Sequence, residues 1–350
     1  MAKPGMSRSQ IKSLLRNAAV GPGWTLCAGA GISLPAFPDW KTLVQRLAAR
    51  DSNPPSAKAL EHLQNTYSSD ALIQAAMDRL GINDQQFADL LATELFSDLL
   101  AALKPRGAVK LVANALTARH IGALTRTAWQ EFIDVLTLCF PGMTALPLAR
   151  TLARLLRGPS GPSSILSFNA ESLFAALINA HIATNRGIKG GDKLDYAVHA
   201  TSDRKAGRIP YYFCHGLLPV PGSKRNHLSS VDKLVFQEST YLQLANTSFS
   251  WQSASFLRAA VGNSIVFIGV SLTDPNMRRW LSWVHANRVA ELAEVGNPAP
   301  TSTVHYWIAK TSEDPATERW TESVVAHLGI RLIWVKDYSD IVPTLDVMTS

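Results

Sequence analysis

Residues Trp24–Cys27 form a short apolar run that opens directly into Gly29-Ala30-Gly31, and this junction constrains the fold more than any other stretch of the chain. Glycine at alternate positions lets the backbone turn sharply and leaves no Cβ above the turn. At the carboxyl end of a strand, such a turn is where open α/β sheets receive anionic ligands. The run predicts a buried strand, a turn at Gly29–Gly31, and backbone N–H groups directed at whatever sits above the strand, commonly a phosphate, which makes a dinucleotide the first candidate ligand. A glycine turn that serves only chain reversal is the alternative at this point.

The hydride-transfer fingerprint fits poorly. Gly-x-Gly-x-x-Gly needs a third glycine where Leu34 stands. Asp51 lies at the distance of a ribose-binding carboxylate, but in Arg-Asp-Ser-Asn-Pro-Pro after a helical pattern, with no strand leading into it.

The periodicity divides the chain. Ile11, Leu14, Leu15 and Ala18 predict a short amphipathic helix ahead of the first strand. Residues 56–157 are helical in pattern almost throughout, punctuated by Gly81, Pro105-Arg106-Gly107 and Pro141-Gly142. Gly158-Pro159-Ser160-Gly161-Pro162 then breaks the chain. Beyond it, strands are predicted at 164–168, 210–214, 264–268, 304–308 and 330–335, with helical faces at Leu173/Ala176/Leu177/Ala180 and Met277/Trp280/Leu281/Val284. Strands alternating with helices predict an α/β fold, a Rossmann-like doubly wound parallel sheet, built from 1–50 and 161–350 with a largely helical insertion at 51–160.

Composition narrows the class. Hydrophobic residues make up 47% and charged residues 17% of 350, the balance of a well-buried globular protein. No apolar run approaches the ~20 residues that cross a bilayer, and residues 1–16 lack the apolar stretch of a secretory signal. Cys27, Cys139 and Cys214 are odd in number and scattered, as reduced cytoplasmic thiols are. They offer no paired Cys/His spacing for zinc, so no metal site is expected. The net charge of +7 comes without a dense Lys/Arg cluster, so an anionic dinucleotide or a partner surface explains it as well as nucleic acid does.

Four segments that follow predicted strands carry the candidate chemistry. Gly29-Ala30-Gly31-Ile32-Ser33 is followed by Pro38-Asp39-Trp40, where Asp39 suits either a ligand contact or the N-cap of the next helix. Ser167-Phe168-Asn169-Ala170-Glu171 leads into a helix, and Asn169 suits a cap or a site. His215-Gly216 ends a strand, with a side chain whose ordinary pKa suits proton transfer, although a structural hydrogen-bonding role is the alternative. Gly269-Val270-Ser271 runs on to Asp274-Pro275-Asn276, where Pro275 at a first helical position makes Asp274 a cap as readily as a ligand contact.

Taken together, these segments resemble the NAD-binding motifs of the sirtuins, and in particular the divergent bacterial sirtuin-like proteins of anti-phage defence. The resemblance implies that Gly29, Ala30, Gly31 and Ser33 hold the NAD phosphates and that Asp39 and Trp40 fold over the nicotinamide ribose. It implies that Asn169 orients water or the nicotinamide carboxamide, with Glu171 standing where deacetylating sirtuins carry an aspartate. His215 becomes the catalytic base, and Gly269, Ser271 and Asp274 the contacts to the adenosine ribose.

Two departures bear on the reaction. The paired cysteines of the sirtuin zinc ribbon are missing, and Val235-Phe236-Gln237-Glu238 lacks the glycine of the acyl-peptide clamp. The resemblance therefore implies an NAD+ hydrolase, gated as an effector of abortive infection. A partner ATPase or Argonaute-like protein, or self-assembly into a homo-oligomer, would supply the gate, since no separate sensor domain is expected within these residues. An NAD-dependent protein deacylase and a non-catalytic NAD or ADP-ribose sensor are the alternatives. Neither sequence-specific nucleic-acid binding nor membrane association is expected.

Overall fold

The computed structural model describes residues 23–185, 191–199, 202, 205–223, 234–247, 250–294 and 304–349. The helix expected at Ile11–Ala18 lies outside the described residues. The strands are β1 (Trp24–Ala28), β2 (Ser164–Ser167), β3 (Leu194–Ala197), β4 (Ile209–Phe213), β5 (Ser264–Ile268), β6 (His305–Lys310) and β7 (Ile330–Val335). The helices between β1 and β2 are α1 (Trp40–Ala48), α2 (Ala57–Thr66), α3 (Ser69–Leu80), α4 (Asp84–Leu103), α5 (Val109–Thr117), α6 (Arg126–Cys139) and α7 (Ala145–Leu155). After β2 come α8 (Leu173–Thr184), α9 (Glu238–Asn246), α10 (Trp251–Gly262), α11 (Pro275–Glu294), α12 (Pro315–Ala326) and α13 (Ile341–Thr349).

All seven strands are parallel, in the order β3-β4-β2-β1-β5-β6-β7. The α/β doubly wound sheet read from the sequence is therefore the fold. β1 lies at its centre, and the chain builds outward on one side before crossing to β5 on the other, so the order reverses between β1 and β5. Ligands of open α/β sheets bind outside the carboxyl ends of the strands at such a reversal.

Side-chain alternation covers the two faces differently. Leu26, Ile165, Tyr211, Phe213, Val266, Ile268 and Tyr306 point to the face shared with the helices between β1 and β2 and with α8, in one continuous core. Cys27, Leu166, Tyr212, Ile265 and Phe267 point to the other, against Phe256 of α10, Trp280 of α11 and Val325 of α12. Most of the helices between β1 and β2 thus bury apolar side chains in the core on that sheet face, while α2 reaches it only through half-buried Leu60. β3 was not expected from the sequence, and it forms one edge of the sheet. Among the described residues no helix is long and apolar enough to cross a membrane.

Candidate active site

The four segments singled out in the sequence all leave the carboxyl edge of the sheet, after β1, β2, β4 and β5. The first and last pack directly on one another. The Gly29 amide donates to Ile268 O at 3.1 Å and the Gly31 amide to Gly269 O at 3.0 Å. A Cβ at Gly29 would lie 2.5 Å from Gly269 O, and a Cβ at Gly269 would lie 2.6 Å from Ile32 N. Gly269 also sits at φ +67°, the left-handed region that disfavours a side chain. Close packing of two loops thus accounts for these glycines.

The same contacts change the expected phosphate cradle. The Ile32 and Ser33 amides donate to Gly29 O and Ala30 O within a single 3₁₀ turn, Ala30–Ile32. The row of free amides expected at Gly29, Gly31 and Ser33 is therefore engaged inside the protein. Ala30 lines the neighbouring cavity and is the residue of the turn best placed to meet a ligand.

A buried polar cluster joins the β1 and β2 segments. Glu171 Oε1 accepts from the Ser33 hydroxyl at 2.8 Å and from Asn169 Nδ2 at 3.1 Å, while Oε2 accepts from the Leu173 amide. Asn169 Nδ2 also reaches Ser33 Oγ at 3.4 Å. All three side chains are buried. Burial raises the Glu171 carboxyl above its ordinary value, and the three donors work against that rise. With its amide nitrogen held by Glu171 and Ser33, Asn169 presents Oδ1, which is buried and has no protein donor. Glu171 therefore acts first as the group that orients Asn169.

Asn169 faces a small apolar cavity of about 30 Å³, lined by Ala30, Ser33, Trp40, Leu95, Glu171 and Phe236 among others. Trp40 enters it from the start of α1 and Leu95 from α4. Asp39 does not line it: its side chain accepts from the Thr42 amide at 2.7 Å and caps α1. Behind the cavity, His215 stands among aromatic rings, with centroids 5.0 Å from Phe168, 5.6 Å from Tyr241, 6.1 Å from Trp40 and 6.2 Å from Phe236. Gly216 follows at φ +82°, which explains the His-Gly pair as a turn requirement.

His215 Nε2 lies 3.2 Å from the Tyr241 hydroxyl and 3.5 Å from Asp274 Oδ2, while Nδ1 is buried without a protein partner. Asp274 also caps α11, its Oδ1 accepting from the Asn276 and Met277 amides at 2.8 and 3.0 Å. The cap reading of Asp274 is therefore present, and its second oxygen faces His215. Ser271 is exposed, pairs with Thr273, and borders an open cleft of about 790 Å³ that Arg278, Trp307 and Trp320 also line. Tyr241 was not singled out in the sequence. Its only signal there is a place at the end of the Val235–Tyr241 segment compared with the acyl-peptide clamp.

Residues 174–333 match the family model of the SIR2-like domain. The match spans α8 to β7 and includes His215, Gly269, Ser271 and Asp274. It supports a relationship to the sirtuin-like superfamily and suggests an NAD-related function. Gly29–Ser33, Trp40, Asn169 and Glu171 precede the matched span, and the fold brings them to the same edge. No curated protein matches the chain. Among the described residues no group of three or more His, Cys, Asp or Glu side chains is placed to hold a metal ion.

Proposed function

We propose that this chain cleaves NAD+ to nicotinamide and ADP-ribose. One observation carries the reading: Asn169 Oδ1, a buried acceptor with no protein donor, faces a small cavity whose Trp40, Phe168 and Phe236 walls also pack against His215, and His215 Nδ1 is buried without a protein partner. An unpaired buried polar atom costs ~1–3 kcal/mol, which points to a ligand that completes it.

The steps follow from these groups. The bond between nicotinamide and ribose C1′ breaks, and its electron pair leaves with the nicotinamide nitrogen. Water adds to the oxocarbenium-like C1′, and its proton passes to His215. Asn169 Oδ1 accepts from that water or from the carboxamide and holds it in line. Trp40, Phe168 and Phe236 keep bulk water from the cation, which strengthens every nearby dipole. The nicotinamide end lies by Asn169 and Trp40, and the adenosine end takes the open cleft beside Ser271. Gly269 and Ala30 lie between them.

The cavity favours gated turnover. Its volume of about 30 Å³ is far below the ~300–1,000 Å³ of small-molecule sites, so the Trp40, Leu95 and Phe236 wall has to move before NAD+ is seated. Two wall members ride on α1 and α4, which puts access under the control of the helices between β1 and β2. This supports the effector reading, in which a partner or self-assembly opens the site and NAD+ loss halts phage growth.

Gln237, which is buried, stands where the acyl-peptide clamp carries glycine, and this disfavours the deacylase alternative. Purified chain at the highest attainable concentration, incubated with NAD+ with and without an acetyl-lysine peptide, separates the readings. A hydrolase releases nicotinamide without peptide, a deacylase requires it, and a sensor binds NAD+ with no release.

A further inference from the structure

We propose that Asp274, assisted by Tyr241, is the positioning residue for His215: it holds the imidazole proton on Nε2 and leaves Nδ1 as the bare nitrogen that accepts a proton. The inference rests on the reading of the chain as an NAD+-cleaving enzyme.

A carboxylate only accepts hydrogen bonds. Asp274 Oδ2 at 3.5 Å therefore attracts an Nε2–H and repels an Nε2 lone pair. The Tyr241 hydroxyl, 3.2 Å from the same nitrogen, accepts equally well, so the two oxygens share one proton.

The carboxylate is fixed by its own local structure. Oδ1 is held by two amides at the start of α11, which leaves Oδ2 aimed at the histidine. Asn276, two residues on, donates from Nδ2 to Tyr241 O at 3.2 Å and accepts at Oδ1 from Arg279 at 3.0 Å. That bond locks α9, and with it Tyr241, to the start of α11. Leu272, buried at φ +55°, supplies the turn that brings Asp274 inward. β4 and β5, which deliver His215 and Asp274, are separated in the sheet by β2 and β1, so the contact bridges the mouth of the site. The Asp274 charge is felt along that mouth: burial raises the Cys27 and Cys214 thiols and the Tyr241 phenol, and Asp274 raises each further.

The decisive variant is Asp274→Asn. Asparagine is as good an N-cap as aspartate, so α11 keeps its cap, while the carboxamide NH₂ turns a donor toward Nε2 and drives the proton to Nδ1. Misplacing the tautomer of a catalytic histidine in this way costs up to ~10⁴ in kcat. The expected result is a 10²–10⁴-fold fall in kcat for nicotinamide release, with KM for NAD+ and Tm close to wild type. Ring-¹⁵N NMR of His215, assigned with His215→Gln, should show Nε2–H in wild type and in Tyr241→Phe, and Nδ1–H in Asp274→Asn.

A wild-type Nδ1–H tautomer overturns the proposal. So does an Asp274→Asn enzyme with intact kcat and raised KM, which would make Asp274 a ribose contact. The NMR measurement needs no NAD+. If wild type releases no nicotinamide even at the highest attainable protein concentration, the NAD+-cleavage reading fails, and the tautomer still decides what Asp274 does.

Discussion

Asn169 and His215 each carry a buried polar atom without a protein partner, and at the residue scale their place at the carboxyl edge of the sheet, after β2 and β4, makes them the candidates for chemistry. Asn169→Ala and His215→Ala should each lower nicotinamide release by about 10²–10⁴-fold while leaving the unfolding midpoint near wild type, the loss expected for one positioned proton-transfer or orienting group. Rates near wild type in both would reassign the site. Glu171 carries a linked prediction. Its carboxyl is raised in the fold by burial, so the native state holds that proton more tightly than the unfolded chain does. The stability this confers is complete below the ordinary glutamate value and is lost as pH rises through the raised native value. Urea unfolding of wild type and Glu171→Gln across that window should therefore show the wild-type advantage shrinking as pH rises; a constant difference would mean that the carboxyl is unperturbed. Sequence alone made Asn169 and His215 legible because each follows a strand in a recognisable run. It could not separate cap from site at Asp39 and Asp274, because both roles use the same acceptor oxygen. The structure shows the cap at both, and at Asp274 it adds a contact from Oδ2 to His215 that the sequence did not offer.

At the scale of elements, the glycines after β1 and β5 were legible as a turn but not as a pair. Gly29, Gly31 and Gly269 are distant in the chain, and each is required by the backbone of the other loop. Gly269→Ala combines a left-handed conformation, roughly 1–2 kcal/mol, with overpacking against Ile32, ~1–3 kcal/mol. It should destabilise the protein by about 2–5 kcal/mol in urea unfolding; a cost below about 1 kcal/mol would show that the loops separate easily. β3 escaped the sequence reading for a physical reason. It has four residues, and Asp195 within it accepts from the Lys205 amide and pairs with Arg208, so polar contacts at the sheet edge replace the apolar alternation of the central strands.

Across the whole molecule, the helices between β1 and β2 do more than fill a gap in the sequence. Arg46 of α1 bonds both carboxylate oxygens of Asp98 in α4, and Arg50 just past the end of α1 pairs with Glu94, so the two helices that supply Trp40 and Leu95 to the cavity are tied together. Turnover per chain should rise steeply with protein concentration or on adding a partner, read as nicotinamide release alongside mass measurement of the assembly. Full activity in a dilute, demonstrably monomeric sample would remove the gate from the account. The alternation of strands and helices made the sheet legible in sequence. The small cavity was not, since it depends on side chains from four separate segments meeting in space. The central claim is that this edge cleaves NAD+, and single-turnover nicotinamide release at the highest attainable protein concentration, with Asn169→Ala measured beside wild type, tests it most directly. The account predicts one nicotinamide and one ADP-ribose per NAD+ from wild type, and a rate lower by about 10²–10⁴-fold in the variant. NAD+ bound but uncleaved, or cleaved equally by both proteins, would contradict it.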